Sequence, residues 1–176
     1  MISDTRKQLG FTLIETTVYI GLFGLIISGG VVAAFQVFEF AGRNQTRAMM
    51  QEEGDFIIAK MGYALSGAQT ISTPSAPVPS TGCSSSTQLS VTKWDISVGN
   101  PLVFVLESGN VTLSRSGNPG NPLNNANVSV SDLVVTRCTT DPSNPESVTP
   151  RIKVSARTPS GALLSQDFST TVYIRK

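Results

Sequence analysis

The chain has 176 residues, with 13 Lys and Arg against 12 Asp and Glu, for a formal charge of +1. This near-neutral balance, with its basic residues scattered, carries no nucleic-acid footprint. Histidine is absent, which removes the commonest general base and metal ligand, so the chain reads as a non-enzyme with no catalytic residue, metal or cofactor assigned.

The first ten residues, MISDTRKQLG, form a short polar leader whose positive charge rests on Arg6 and Lys7. From Thr16 to Phe38 there are 23 residues without a formal charge. As a helix they would extend roughly 35 Å, enough to cross a hydrocarbon core of about 30 Å. By the positive-inside rule the leader stays in the cytoplasm and everything after the anchor lies outside. Val32 and Ala34 also offer a small-residue pattern for an ordinary secretory signal peptide. The apolar run is longer than the usual h-region of about 7 to 15 residues, however, and Glu15 interrupts its start. A plain unprocessed single-pass anchor is the other simple alternative, since glycines such as Gly21, Gly24, Gly29 and Gly30 are common in membrane helices.

The junction Leu9-Gly10-Phe11-Thr12-Leu13-Ile14-Glu15, between a basic leader and a long apolar helix, closely resembles the class III signal of type IV pilins and type II secretion pseudopilins. The resemblance implies cleavage by a prepilin peptidase after Gly10, methylation of the new amine at Phe11, and a role for Glu15 in neutralising the amine of a neighbouring subunit. It also implies that the partners are prepilin peptidase, other pilin or pseudopilin subunits, an inner-membrane assembly platform and membrane lipid. Chemistry supplies a reason for this order of residues. Cleavage would create a cation one helical turn from Glu15, whose carboxylate is otherwise expensive in lipid, at least about 2.5 to 3.5 kcal/mol on insertion scales for mid-depth positions.

No proline occurs before Pro74, so the helix is expected to run on from about Phe11 to Leu65. Phe56, Ile57, Met61, Ala64, Leu65 and Ala68 recur at separations of three and four, one apolar stripe for packing on a sheet. Glu52 and Glu53 are adjacent and do not face one another, so they read as a solvated face rather than a carboxylate pair. Gly42, Gly54 and Gly62 each weaken the helix by roughly 1 kcal/mol relative to alanine and are candidate bending points.

From Thr70 the texture changes to TISTPSAPVPSTGCSSST, read as a loop. After it come QLSVTK, PLVFVLE, NVTLSRS, VSVSDLVVTRC, RIKVSART and FSTTVYIRK, each a candidate strand. Glu107-Ser108-Gly109-Asn110 is a hairpin signal between the second and third. The fold class expected is α+β: a long N-terminal helix, transmembrane in its first half, packed on a C-terminal antiparallel β-sheet head. Its parts are a leader (1–10), a membrane and assembly helix (11–38), an amphipathic continuation (39–68) and a β-rich head (69–176).

The head loosely resembles minor pilins and minor pseudopilins of the J and W type, in which a hairpin like LVFVLESGNVTLSRS and a terminal strand like FSTTVYIRK also occur. That implies a minor rather than a bulk subunit, in a bacterial inner membrane and then in a pilus or pseudopilus. Glu15 sets the chain apart from the K-type tip subunit, which lacks that glutamate. Two alternatives stand beside the pilus reading: a minor pseudopilin of type II secretion, and a membrane-tethered binding protein outside any filament.

Cys83 and Cys138 are the only cysteines. In an exported, oxidising setting a disulfide between them is the expectation, with two separate thiols as the alternative. Asp132, Asp141, Glu146 and Asp167 show no D-x-D grouping and read as solvated rather than calcium-binding. The sequons at Asn44, Asn110 and Asn127 are inexpensive patterns in a chain of this composition.

Overall fold

The computed structural model describes residues 12–77, 81–95, 99–139 and 145–174. It divides into two compact units, one ending at Ala41 and one beginning at Gly42.

Helix α1 runs unbroken from Leu13 to Ser66. In the first unit every described residue, from Thr12 to Ala41, is exposed. In the second, α1 buries Met50, Ile57, Ile58, Met61, Ala64 and Leu65. Phe56, expected on that stripe, is 44% exposed. It sits one position off the buried row, with Lys60 Nζ 5.3 Å from its ring centroid. The expected helical continuation to Ala68 stops two residues earlier, because Ala68 already begins the first strand. A strand residue ends the helix: Lys93 Nζ donates to the carbonyl of Tyr63 in its last turn at 3.0 Å. Gly67 keeps the way clear, since a Cβ there would lie 2.7 Å from Lys93 Cε.

The head holds two antiparallel sheets, where the sequence suggested one. The first has the order β1-β3-β4-β5-β6, from β1 (Ala68–Thr73), β3 (Gln88–Lys93), β4 (Leu102–Glu107), β5 (Asn110–Arg115) and β6 (Asn121–Pro122). The second joins β2 (Gly82–Ser86), β7 (Val128–Thr139) and β8 (Glu146–Arg157), with β9 (Leu163–Ser169) and β10 (Val172–Ile174) both along β8. The segment read as a proline and serine loop therefore contributes an edge strand to each sheet. Its β-branched half, Thr70 to Thr73, pairs with β3, and its cysteine half pairs with β7.

The β4–β5 hairpin turns at Ser108 and Gly109, as its sequence predicts, with φ of 50° and 82°. Positive φ at both central positions is the twist that suits a two-residue hairpin. In β8, Ile152, Val154 and Ala156 are buried while Arg151, Lys153 and Arg157 face solvent, the alternation of a strand with one wet face.

FSTTVYIRK, read as a single strand, is divided between β9 and β10. Arg151 faces Ser169 and Val148 faces Val172, so one register continues across the gap. The interruption falls at Pro150, whose carbonyl accepts from the Thr170 N–H at 3.3 Å. The ring nitrogen of Pro150 has no hydrogen to return to that neighbour, so the ladder loses a rung there.

One core joins α1 to both sheets, with Phe104, Leu89 and Val91 on one side and Leu133, Ile152 and Val154 on the other.

Candidate functional site

Arg6, Lys7, Gly10 and Phe11 lie outside the described residues. Glu15 stands in the first turn of α1, and its N–H donates to the Thr12 carbonyl at 3.1 Å. The surrounding surface is apolar: Leu13, Ile14, Val18, Ile20, Phe23 and Ile26 are all exposed. An exposed apolar surface on this scale marks an interaction with lipid or with another protein. Among the described residues, one helix near the N-terminus is long and apolar enough to span a membrane.

The hydroxyls of Thr16, Thr17 and Ser28 in that run are satisfied within the helix. Thr16 Oγ1 and Thr17 Oγ1 each donate to the Leu13 carbonyl at 2.9 Å, and Ser28 Oγ donates to Leu25 at 3.0 Å. A helix with its hydroxyls bonded to its own backbone leaves few donors to be desolvated in hydrocarbon. Glu15 differs, because a carboxylate carries charge that backbone carbonyls cannot offset. The positive end of the helix dipole contributes about 0.3 to 1 kcal/mol at such a position. That is smaller than the insertion cost of about 2.5 to 3.5 kcal/mol for an acid at mid-depth. In a bilayer the difference would have to be met by a headgroup-level position or by an external cation.

In the head, Cys83 and Cys138 form a disulfide. They face each other across the β2–β7 ladder, so the bond fastens the edge strand to the long central one. Asp132 and Asp167 lie on β7 and β9, apart from Glu146 on β8, and Asp141 is outside the described residues. Among the described residues no three His, Cys, Asp or Glu side chains converge on a metal position. Glu52 is exposed, and Glu53 Oε1 accepts from Asn125 Nδ2 at 2.7 Å.

Two charged groups escaped the sequence reading. Lys93 is only 7% exposed; its ammonium lies 3.7 Å from the centroid of the Tyr63 ring as well as on the Tyr63 carbonyl. The helix has no basic residue in its last turn, and Lys93 supplies that charge from β3. Arg137 pairs with Glu146 Oε2 through Nε at 3.0 Å and Nη2 at 2.6 Å, while Nη1 donates to the carbonyls of Ile71 and Pro74 at 3.0 and 3.2 Å. One guanidinium thereby ties β7 and β8 to the end of β1 in the other sheet. The period of two in a strand places Arg137 on the face of Val135, but its partners are distant in sequence.

The apolar helix with an antiparallel-sheet head is compatible with a pilin-like architecture. Comparison with protein-family models, with curated proteins and with solved structures gives no match.

Proposed function

We propose that this chain is a prepilin-like minor subunit of a type IV filament machine, without catalytic activity. The observation that supports this most is the change of character along one unbroken helix. Its first part is bare, apolar and self-satisfied with a carboxylate in the opening turn, and its last part is the spine of a β-rich head.

In this reading the leader stays in the cytoplasm, prepilin peptidase cuts after Gly10, and Phe11 becomes the methylated N-terminus. The apolar helix packs beside others of its kind, and the carboxylate of Glu15 accepts the amine of a neighbouring subunit. Lateral assembly removes the apolar surface from lipid and pairs the charge in one step.

Intact-mass analysis of the membrane-extracted protein tests the processing step; a mature N-terminus other than methylated Phe11 overturns it. Glu15→Val tests the assembly step. The variant should be cleaved normally yet recovered poorly in sheared filaments, and wild-type recovery would remove the role given to the carboxylate. Loss of secretion rather than of surface fibres on deleting the gene would place the subunit in a type II pseudopilus. Correct anchoring with no filament partner captured by crosslinking would leave a membrane-tethered binding protein.

A further inference from the structure

We infer that the turn from Arg157 to Leu163, with the helix face it packs on, is a seat for anionic lipid headgroups. The inference rests on the membrane-anchor part of the proposed function, not on filament assembly.

Gly42, where the second unit begins, packs on this turn: a Cβ there would lie 3.2 Å from Pro159 Cγ. Gly42 is four residues beyond Phe38, the end of the uncharged run. Even fully extended, four residues reach only about 14 Å. The headgroup layer adds about 5 to 8 Å beyond the hydrocarbon on each side. Chain connectivity alone therefore keeps Gly42, and the turn against it, within reach of the bilayer surface if the run is inserted.

The turn is built for such a place. Thr158, itself buried, closes it: its N–H donates to the Ala162 carbonyl at 2.9 Å, its Oγ1 accepts from the Ala162 N–H at 3.0 Å, and its carbonyl accepts from Gly161 at 2.8 Å. With its backbone occupied, the turn presents Pro159, Ala162 and Leu163 outward, and Leu163 is 64% exposed. An open groove of about 760 Å³ lies beside it, lined by Gln45, Asn127, Ser129, Ser155 and Arg157 among others, with no carboxylate in its wall. Arg43 and Arg47 stand on the same stretch of helix, and the acids nearest along it are Glu39, one turn before Arg43, and Glu52, beyond Arg47. Amides, hydroxyls and a guanidinium around an apolar lip suit a phosphodiester above acyl chains.

The test uses the full chain in vesicles, with Trp94→Phe and Leu163→Trp placing one indole on the lip. In vesicles containing phosphatidylglycerol, lipids brominated near the glycerol should quench it, and in phosphatidylcholine alone much less. Arg47→Gln and Arg157→Gln should each lower the bound-to-free ratio of the lip about five-fold in the anionic vesicles. A parallel Tyr19→Trp chain reports the anchor. Quenching at position 19 with none at 163, or quenching at 163 indifferent to lipid charge and to both arginines, overturns the inference and leaves the anchor standing. Absence of quenching at position 19 overturns both.

Discussion

Gly54 separates two physical expectations of opposite sign. In the middle of a helix, glycine to alanine stabilises by roughly 1 kcal/mol through backbone entropy. In this fold a Cβ at Gly54 would fall 2.5 Å from Phe168 Cε2 and 2.6 Å from both Cδ2 and Cζ. Carbon atoms pack at about 3.5 to 4.0 Å, so the ring must retreat by about 1 Å. Phe168 is 8% exposed and set on β9 opposite buried Ile152, leaving the ring little room. Overpacking of this kind costs about 1 to 3 kcal/mol, and Gly54→Ala should be neutral to destabilising by up to about 2 kcal/mol. Gly62→Ala, with nothing within 4 Å of the new Cβ, should stabilise by up to about 1 kcal/mol. Denaturant titration of the detergent-solubilised chain, disulfide intact, reads both. In a Phe168→Ala background the clash is gone, and Gly54→Ala should then stabilise. Stabilisation by Gly54→Ala in the unaltered chain, or an equal effect with and without the ring, would refute the packing argument.

Three further outcomes are expected. Reduction of the Cys83–Cys138 bond, which closes a separation of 55 residues, should lower head stability by about 4 kcal/mol on the chain-entropy model; the intact mass must rise by two hydrogens on reduction. Arg137→Met leaves the Glu146 side chain, 7% exposed, without its guanidinium and should cost about 3 to 5 kcal/mol, whereas Arg137→Met with Glu146→Leu should cost much less. Equal losses in the single and double variants would show that the pair is not what holds that corner. Lys93→Met should destabilise by about 1 kcal/mol as the C-terminal charge on α1 is lost, and hydrogen exchange should rise first in the last turn, at Tyr63 to Ser66.

The parts of the fold legible in the sequence are those governed by period and by local turn chemistry. The charge-free run, the absence of proline before Pro74 and the spacing of Ile57, Met61, Ala64 and Leu65 are properties of a helix by itself. Ser108-Gly109 names its own turn. Two sheets instead of one were not legible, because strand partners follow from pairings between β2 and β7 and between β1 and β3 that no local pattern encodes. TISTPSAP and TGCSSST look like loops for the same reason: edge strands bury little, and their apolar content is low. Phe56 was misplaced because a stripe read at separations of three and four tolerates an error of one position, which turns a side chain by about 100°. Gly54 was read as a point of flexibility when it is a point of close approach, which only the position of Phe168 reveals. Of the candidate site, Glu15 and the apolar run were legible, while Lys93 and Arg137 were not.

Both parts of α1 return hydroxyls to the helix's own carbonyls, and the second also takes a partner from outside the helix. Before Ala41 the hydroxyls of Thr16, Thr17 and Ser28 return to the helix's own carbonyls. Near its end the helix also draws on a cation from β3, which joins the Ser66 hydroxyl on the Tyr63 carbonyl. A segment that satisfies itself can change its surroundings, from lipid to a bundle of like helices, without breaking a hydrogen bond. One that depends on Lys93 is committed to its sheet. Glu15 stands out from the rest of the stretch from Thr12 to Phe38, where no other residue carries a formal charge. A carboxylate there would make the surroundings of the helix matter electrostatically, which is the property the proposed assembly step requires.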